Sequence, residues 1–158
     1  MVRLADLPEW EREHMLEKIP ALPQFGLSPW VAGGPLVRRR VALVTSAGLH
    51  TRGDRPFGQG AARNDYRVIP GNAVAADLVM SQLSVNFDRT GYQQDLNVVF
   101  PLDRLRELAR DGVIGSVAAH HYSFMGAGSP VTRMEASARA VGRLLKADKV
   151  DAVLLTPV

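Results

Sequence analysis

Apolar positions along the chain follow two patterns, and the change between them divides the sequence. The opening stretch ADLPEWEREHMLEKIP (5–20) predicts a helix. Asp6 and Glu9 have capping-box spacing, Pro8 suits a first turn and Pro20 closes the segment. ALPQFGLSPWVAGGPLV (21–37) has Pro23, Pro29, Pro35, Gly33 and Gly34, which predicts an extended arm with no regular element. Residues 1–37 therefore read as an appendage, with Trp10 and Trp30 expected to pack on the domain or on a partner subunit.

From Arg38 onward the chain reads as one α/β domain, 38–158. Val41 to Val44 is a continuous apolar run, the mark of a buried strand, and it breaks into a loop at Ser46–Gly48. YRVIPG (66–71) and DLVMSQ (77–82) are shorter strand candidates. LNVVFPLDRLRELARDGVIG (96–115) predicts strand, helix, strand. Pro101 starts the helix, Leu102, Leu105, Leu108 and Ala109 form its buried face, and Gly112 supplies a left-handed stop. VIGSVAAHHY (113–122) reads as a strand ending in polar groups. TRMEASARAVGRLLKADK (132–149) reads as a helix with a Thr132–Glu135 capping box and with Met134, Ala138, Val141 and Leu145 on one face. Val150 to Leu155 is the last strand. This alternation predicts an α/β fold with a largely parallel sheet and covering helices, Rossmann-like, preceded by an N-terminal helix and an extended arm. No covering helix follows the last strand, so the domain is expected to be incomplete at its C-terminus.

Composition narrows the class. At 158 residues, 46% hydrophobic and 22% charged, the chain suits one globular domain. No apolar run approaches membrane-spanning length and the N-terminus is too acidic for a leader, so a soluble, cytoplasmic protein with no membrane partner is expected. The net charge of +3 is unevenly placed, with seven arginines against Asp54 and Asp65 between residues 38 and 67. That segment suits anionic small molecules, an acidic partner, or simply a solvated rim. Nucleic acid is not indicated, because no recognition motif accompanies the charge. There is no cysteine, hence no disulfide, thiolate metal site or sulfur nucleophile within these residues.

Three strand ends concentrate polar chemistry. TSAGLHTRGDRPF (45–57) holds His50, Arg52, Asp54 and Arg55; Arg55 has the fork geometry for a carboxylate, set against a local Asp54–Arg55 turn. SVNFDRTGYQQDLN (84–97) holds Asn86, Asp88, Arg89, Asp95 and Asn97, either a capped loop or a binding loop. HHYSFMGAGSP (120–130) places His120 and His121 on opposite strand faces. There Gly126 and Gly128 lead towards a helix start that can receive an anion. His50, Asp54, Asp88, Asp95, His120 and His121 are the oxygen and nitrogen donors for a metal-dependent hydrolase or lyase, but no fixed-spacing motif supports a metal site.

The blocks VALVTSAGLH, GDRPF, YRVIP, NFDRTGYQQDLNVVFPLDRLRELARDGVIGSVAAHHYSFMG and LLKADKVDAVLLTPV together resemble the glycine/sarcosine/betaine/D-proline reductase selenoprotein B family, collinearly from about residue 38 to Val158. Gln82 departs from the pattern, where His is expected. The resemblance implies an oxidoreductase subunit that cleaves a C–N bond α to a carboxylate. It also implies a selenocysteine, or a cysteine, directly after the LLTPV strand, and hence a chain ending at a UGA codon read as stop. Residues 1–158 alone are then expected to be inactive and prone to self-association. A residue placed between a buried strand and a helix start sits at the positive end of the helix dipole, which favours an anionic nucleophile. The partners implied are a small carboxylate-bearing amine substrate, other reductase subunits, one of them bearing a pyruvoyl group, and a thioredoxin-type reductant. No cofactor is expected in this chain itself. Substrate-binding candidates are Arg55, Arg89, His50, Asp88, Gly126 and Gly128, with His120 and His121 as candidate proton donors. The alternative to a reductase subunit or metal enzyme is a non-catalytic domain that binds an anion or a partner.

Overall fold

The computed structural model describes residues 3–23, 31–58, 64–84, 87, 89–127 and 130–158. Trp30, Arg63, Asn86, Asp88 and Gly128 lie outside them. The chain forms two compact units, residues 1–31 and 32–158. In the first, a 3-10 turn (Leu4–Asp6) precedes helix α1 (Glu9–Lys18), whose N-cap is Pro8 with no side-chain cap. The expected Asp6–Glu9 box does not form, because the Asp6 carboxylate accepts the Arg3 N–H at 3.1 Å instead. Trp10 is 71% exposed. No helix among the described residues is long and apolar enough to cross a membrane.

The second unit is an α/β domain with a mostly parallel sheet. Its strands are β1 (Arg40–Thr45), β2 (Leu49–Thr51), β3 (Tyr66–Pro70), β4 (Leu78–Met80), β5 (Ser116–Val117), β6 (His120–Phe124) and β7 (Ala152–Thr156). β1 lies at the centre, parallel to β7 on one side and to β5 and β6 on the other. β3 pairs antiparallel with β6 at one edge, and β2 and β4 form a separate antiparallel ribbon. The helices are α2 (Thr90–Gln94), α3 (Leu102–Arg110) and α4 (Glu135–Ala147).

Side-chain alternation sorts the core onto two faces. Leu43 and Ile69 face Leu49, Leu78, Phe100, Leu102 and Leu105, beneath α3 and the β2–β4 ribbon. On the other face Tyr122, Phe124 and Val44 meet Val141 and Leu145 of α4, with Met134 just before it. α3 ends as its sequence predicts. Gly112 takes φ +73°, Val113 N–H reaches the Leu108 carbonyl (2.9 Å), and Gly112 N–H reaches that of Ala109 (3.2 Å).

Two further expectations are overturned. Residues 96–100 form no strand: Asp95 accepts the Asn97 N–H at 2.9 Å and starts a 3-10 turn over Leu96–Val98. That carboxylate, bonded by both the backbone and the side chain of Asn97, titrates below the ordinary range. Nor does a Thr132–Glu135 box open α4. A 3-10 turn from Val131 to Met134 leads in after Pro130, and α4 carries no side-chain cap.

The strand predicted over 113–122 is real but interrupted. β5 and β6 are halves of one strand broken by a bulge. Val41 pairs with Val117, yet Val44 pairs with Tyr122, so four residues (118–121) stand opposite two of β1. Side chains satisfy the backbone groups this exposes. The Asp148 carboxylate accepts the N–H groups of Ala119 (2.7 Å) and His120 (3.4 Å), and Arg40 bonds both to that carboxylate and, through Nε, to the Asp148 carbonyl (2.7 Å). Burial alone would raise the Asp148 carboxyl; the Arg40 guanidinium and the Ala119 N–H outweigh it and hold the group below its ordinary 3.8. Gly71 closes the turn over the bulge, where a Cβ would lie 2.5 Å from the Ala118 carbonyl oxygen.

His121 completes the repair. Its Nδ1 accepts the Leu43 N–H at 2.9 Å, so the neutral ring carries its proton on Nε2. Burial, reinforced by the nearby Arg106, pushes its pKa from 6.5 down to about 4. The unfolded chain takes up this proton below 6.5 and the folded chain only near 4, so stability falls as pH drops through that window. A loss of about 3 kcal/mol between pH 7 and 4 is expected from this group, beyond any contributed by carboxylates. His121→Asn keeps an acceptor for Leu43 and should flatten the pH dependence of the urea midpoint over that range. A second prediction concerns the end of α4. Lys149 is left-handed there, at φ 56°, with Val150 N–H bonded to the Leu145 carbonyl at 2.9 Å. Lys149→Gly should raise stability by about 0.5–1 kcal/mol in equilibrium unfolding.

Candidate functional site

The carboxyl ends of β1, β6 and β7 meet at one rim of the sheet, where open α/β folds place their ligands. Thr45 and Thr156 are register partners, and both hydroxyls donate to the Val99 carbonyl, at 2.9 and 3.1 Å. Beyond them the Ser46 N–H donates to the Thr156 carbonyl (3.2 Å). The Ser46 hydroxyl accepts the Val158 N–H at 2.8 Å and lies 3.3 Å from the Val158 oxygen, to which it donates. The Ser46 carbonyl accepts both the Gly126 N–H (2.9 Å) and the Gln82 side-chain amide (3.2 Å). Gln82 is buried, its Oε1 takes the Ser84 N–H at 3.2 Å, and its backbone carbonyl accepts Arg89 Nη2 at 2.7 Å. A mostly apolar pocket of about 240 Å³ opens beside this rim, lined by Val44, Phe124, Met134 and Leu155 together with Ser46 and Pro157.

A second cluster sits at the same end of the sheet, on the β3 edge. Arg67 is 4% exposed and level with Ser123 of β6. It donates to the carbonyls of Arg55 (2.7 Å), Tyr66 (2.8 Å) and Pro56 (3.2 Å), ion-pairs with Asp65 at 3.3 Å, and lies 4.4 Å from the centre of the Phe57 ring. It thus shapes the loop that presents Arg55. The Arg55 side chain is 70% exposed and 3.5 Å from Asp65, while Arg55 N–H bonds to Asp54, the local turn that the sequence admits.

The remaining candidates are dispersed. His50 is buried in the β2–β4 ribbon. Its Nδ1–H donates to the Thr51 carbonyl at 2.7 Å, which leaves Nε2 to accept the Ser81 hydroxyl at 2.7 Å. His120 is exposed and His121 is sealed in the core, the opposite-face arrangement expected of neighbours in a strand. His120 shares a groove of about 400 Å³ with Val68, Tyr122 and Asp148. It is three residue steps from Ser123, roughly 10 Å along the strand. The structure therefore brings Arg89, Gln82, Gly126 and Val158 together, leaves Arg55 on a neighbouring loop, and sets both histidines back from the rim. Among the described residues, no three His, Asp or Glu side chains gather to hold a metal ion. Sequence reading missed Ser46, the two threonines and Arg67. Their only signal was position at a strand end, or a charge within an otherwise apolar strand.

With this geometry in view, a comparison decides the family. The family model described as glycine/sarcosine/betaine reductase selenoprotein B matches residues 18–158. The chain belongs to that family. Among similar proteins in the family, the D-proline reductase subunit gamma of Acetoanaerobium sticklandii is 39% identical over 117 residues, 73% of this chain and 47% of the relative. The glycine reductase complex component B subunit gamma of Symbiobacterium thermophilum is 32% identical over 127 residues, 77% of this chain and 29% of the relative. The sarcosine reductase complex component B subunit beta of Peptoclostridium acidaminophilum is 36% identical over 120 residues, 74% of this chain and 27% of the relative. This family member spans from about a quarter to about half the length of these curated relatives. No solved structure matches it.

Arg67 gives the sharpest test of the site's scaffold. A lysine cannot reproduce its fan of carbonyl bonds and its ion pair. Arg67→Lys should therefore lose about 2 kcal/mol of stability by urea unfolding. The same change at the exposed Arg55 should leave the unfolding midpoint nearly unmoved.

Proposed function

We propose that this chain forms the first part of a selenoprotein B-like subunit of a glycine-, sarcosine-, betaine- or D-proline-type reductase, and that a selenocysteine, or a cysteine in its place, follows Val158. Family membership over residues 18–158 carries the reading. The rim geometry supports the placement, because the Val158 N–H is bonded at 2.8 Å to Ser46 at the carboxyl end of the parallel strands. The 158 residues contain no cysteine, so the reactive atom of this reading lies outside them.

The reaction is a two-electron reduction. The selenolate attacks the carbon α to the carboxylate, a C–Se bond forms, and the C–N bond breaks with a proton going to the departing nitrogen. A thiolate then attacks selenium, the carbon leaves with a proton, and an external dithiol of thioredoxin type reduces the selenenyl sulfide. Arg89 donates to the backbone carbonyl of Gln82, whose side-chain amide bonds the Ser46 carbonyl at this rim. Arg89 is our candidate for the substrate carboxylate at the rim; Arg55, the first candidate from the sequence, stays on the adjacent loop with its side chain 70% exposed and 3.5 Å from Asp65. Of the two histidines His120 is exposed and His121 is buried with its Nδ1 accepting the Leu43 N–H; both are set back from the rim, so neither is assigned this proton. Other subunits of the complex, one with a pyruvoyl group to activate the amine, complete the machinery. Among the described residues, the His and Asp side chains named for a metal-dependent hydrolase or lyase do not gather in threes.

The reading frame after the Val158 codon tests the proposal. A UGA or a cysteine codon followed by an open frame is expected. UAA or UAG at that position overturns it.

A further inference from the structure

We infer that Ser46 is a positioning residue for the reactive side chain after Val158: its hydroxyl fixes the backbone that carries the nucleophile, and it does not itself touch substrate. The inference rests on the function proposed above. The ladder between β1 and β7 ends with the bond from Ser46 N–H to the Thr156 carbonyl. Residue 157 is proline and has no N–H to extend the ladder. The next backbone donor is that of Val158, and the Ser46 hydroxyl receives it at 2.8 Å while facing the Val158 oxygen at 3.3 Å. Both hydrogen bonds of Val158 thus run to one side chain.

The backbone that carries this side chain is itself held from three directions. β1 fixes it, and its carbonyl takes the N–H of Gly126 and the amide of Gln82. A Cβ on Gly126 would lie 3.0 Å from the Ser46 Cβ and carbonyl oxygen, so the absent side chain at 126 is what lets the end of β6 wedge Ser46 in place. Consecutive Cα atoms lie 3.8 Å apart, so a displacement of Val158 passes almost undiminished to the following residue. A reacting atom displaced by about 1 Å loses about 100-fold in rate.

The experiment uses the full-length protein in its reductase complex, with Ser46→Ala, Ser46→Thr and Gly126→Ala. Iodoacetamide labelling and peptide mapping of the unsubstituted protein come first, and label is expected on the residue after Val158. Ser46→Ala should then lower kcat by about 10- to 100-fold with KM within about twofold. Ser46→Thr, which restores a hydroxyl, should recover most of that loss. Gly126→Ala keeps the hydroxyl but shifts it, and should behave like Ser46→Ala. Absence of label beside Val158 overturns the proposed nucleophile and this inference with it. Label present, with kcat of Ser46→Ala within twofold of the unsubstituted protein or with no recovery in Ser46→Thr, overturns the role of Ser46 alone.

Discussion

The bulge between β5 and β6 is the constraint on which the rest of the domain depends. Two additional residues opposite β1 leave backbone N–H groups with no strand to receive them, and at the buried Leu43 an unsatisfied N–H would cost about 1–3 kcal/mol. Two side chains take over: the Asp148 carboxylate for Ala119 and His120, and the His121 imidazole for Leu43. Asp148 also caps the end of α4 and holds Arg40 at the start of β1. One residue therefore joins the central strand, its bulged neighbour and the helix covering one face.

The bulge also sets what reaches the rim. With the two residues absorbed between Val41 and Val44, Arg67, Ser123, Thr45 and Thr156 fall into one row across β3, β6, β1 and β7. Arg67, Ser123 and Thr45 are buried polar groups, and each meets partners on neighbouring segments. Arg67 shapes the Arg55 loop, Ser123 Oγ receives the Leu49 N–H at 2.8 Å, and the two threonines hold Val99. Polar satisfaction at the end of the sheet and organisation of the candidate site are thus the same set of bonds.

Much of this architecture was legible in the sequence, for physical reasons. Val41 to Val44 and the 102–110 helix with its Gly112 stop are governed by local pattern and form where the pattern puts them, while the helix read over 132–149 forms over 135–147 after a 3-10 entry. The stretch Leu96–Phe100 misled because an apolar run is equally compatible with a strand and with a turn laid across a core; the Asp95–Asn97 bond decides for the turn. Capping boxes at Asp6 and Thr132 were reasonable from spacing, but a proline enforces a 3-10 entry at one and a competing partner claims the aspartate at the other. The bulge was invisible, since register is a relation between strands. At the candidate site, Arg55, Arg89 and Gly126 were named from residue type; Arg89 and Gly126 lie at the rim and Arg55 on a neighbouring loop. Ser46 was not named, because a serine after a strand has no signature until its partner 112 residues away is in place.

The Val99 carbonyl has a consequence of its own. Two lone pairs serve two hydroxyls, one from the central strand and one from the terminal strand, and the carbonyl lies two residues before Pro101 opens α3. Movement of the last strand at Thr156 must pull on that junction, and through it on the first turn of α3, where Leu102 is anchored in the core. The fold therefore contains a mechanical linkage between the strand leading to the candidate site and the helix behind it, in which the helix resists displacement of the rim.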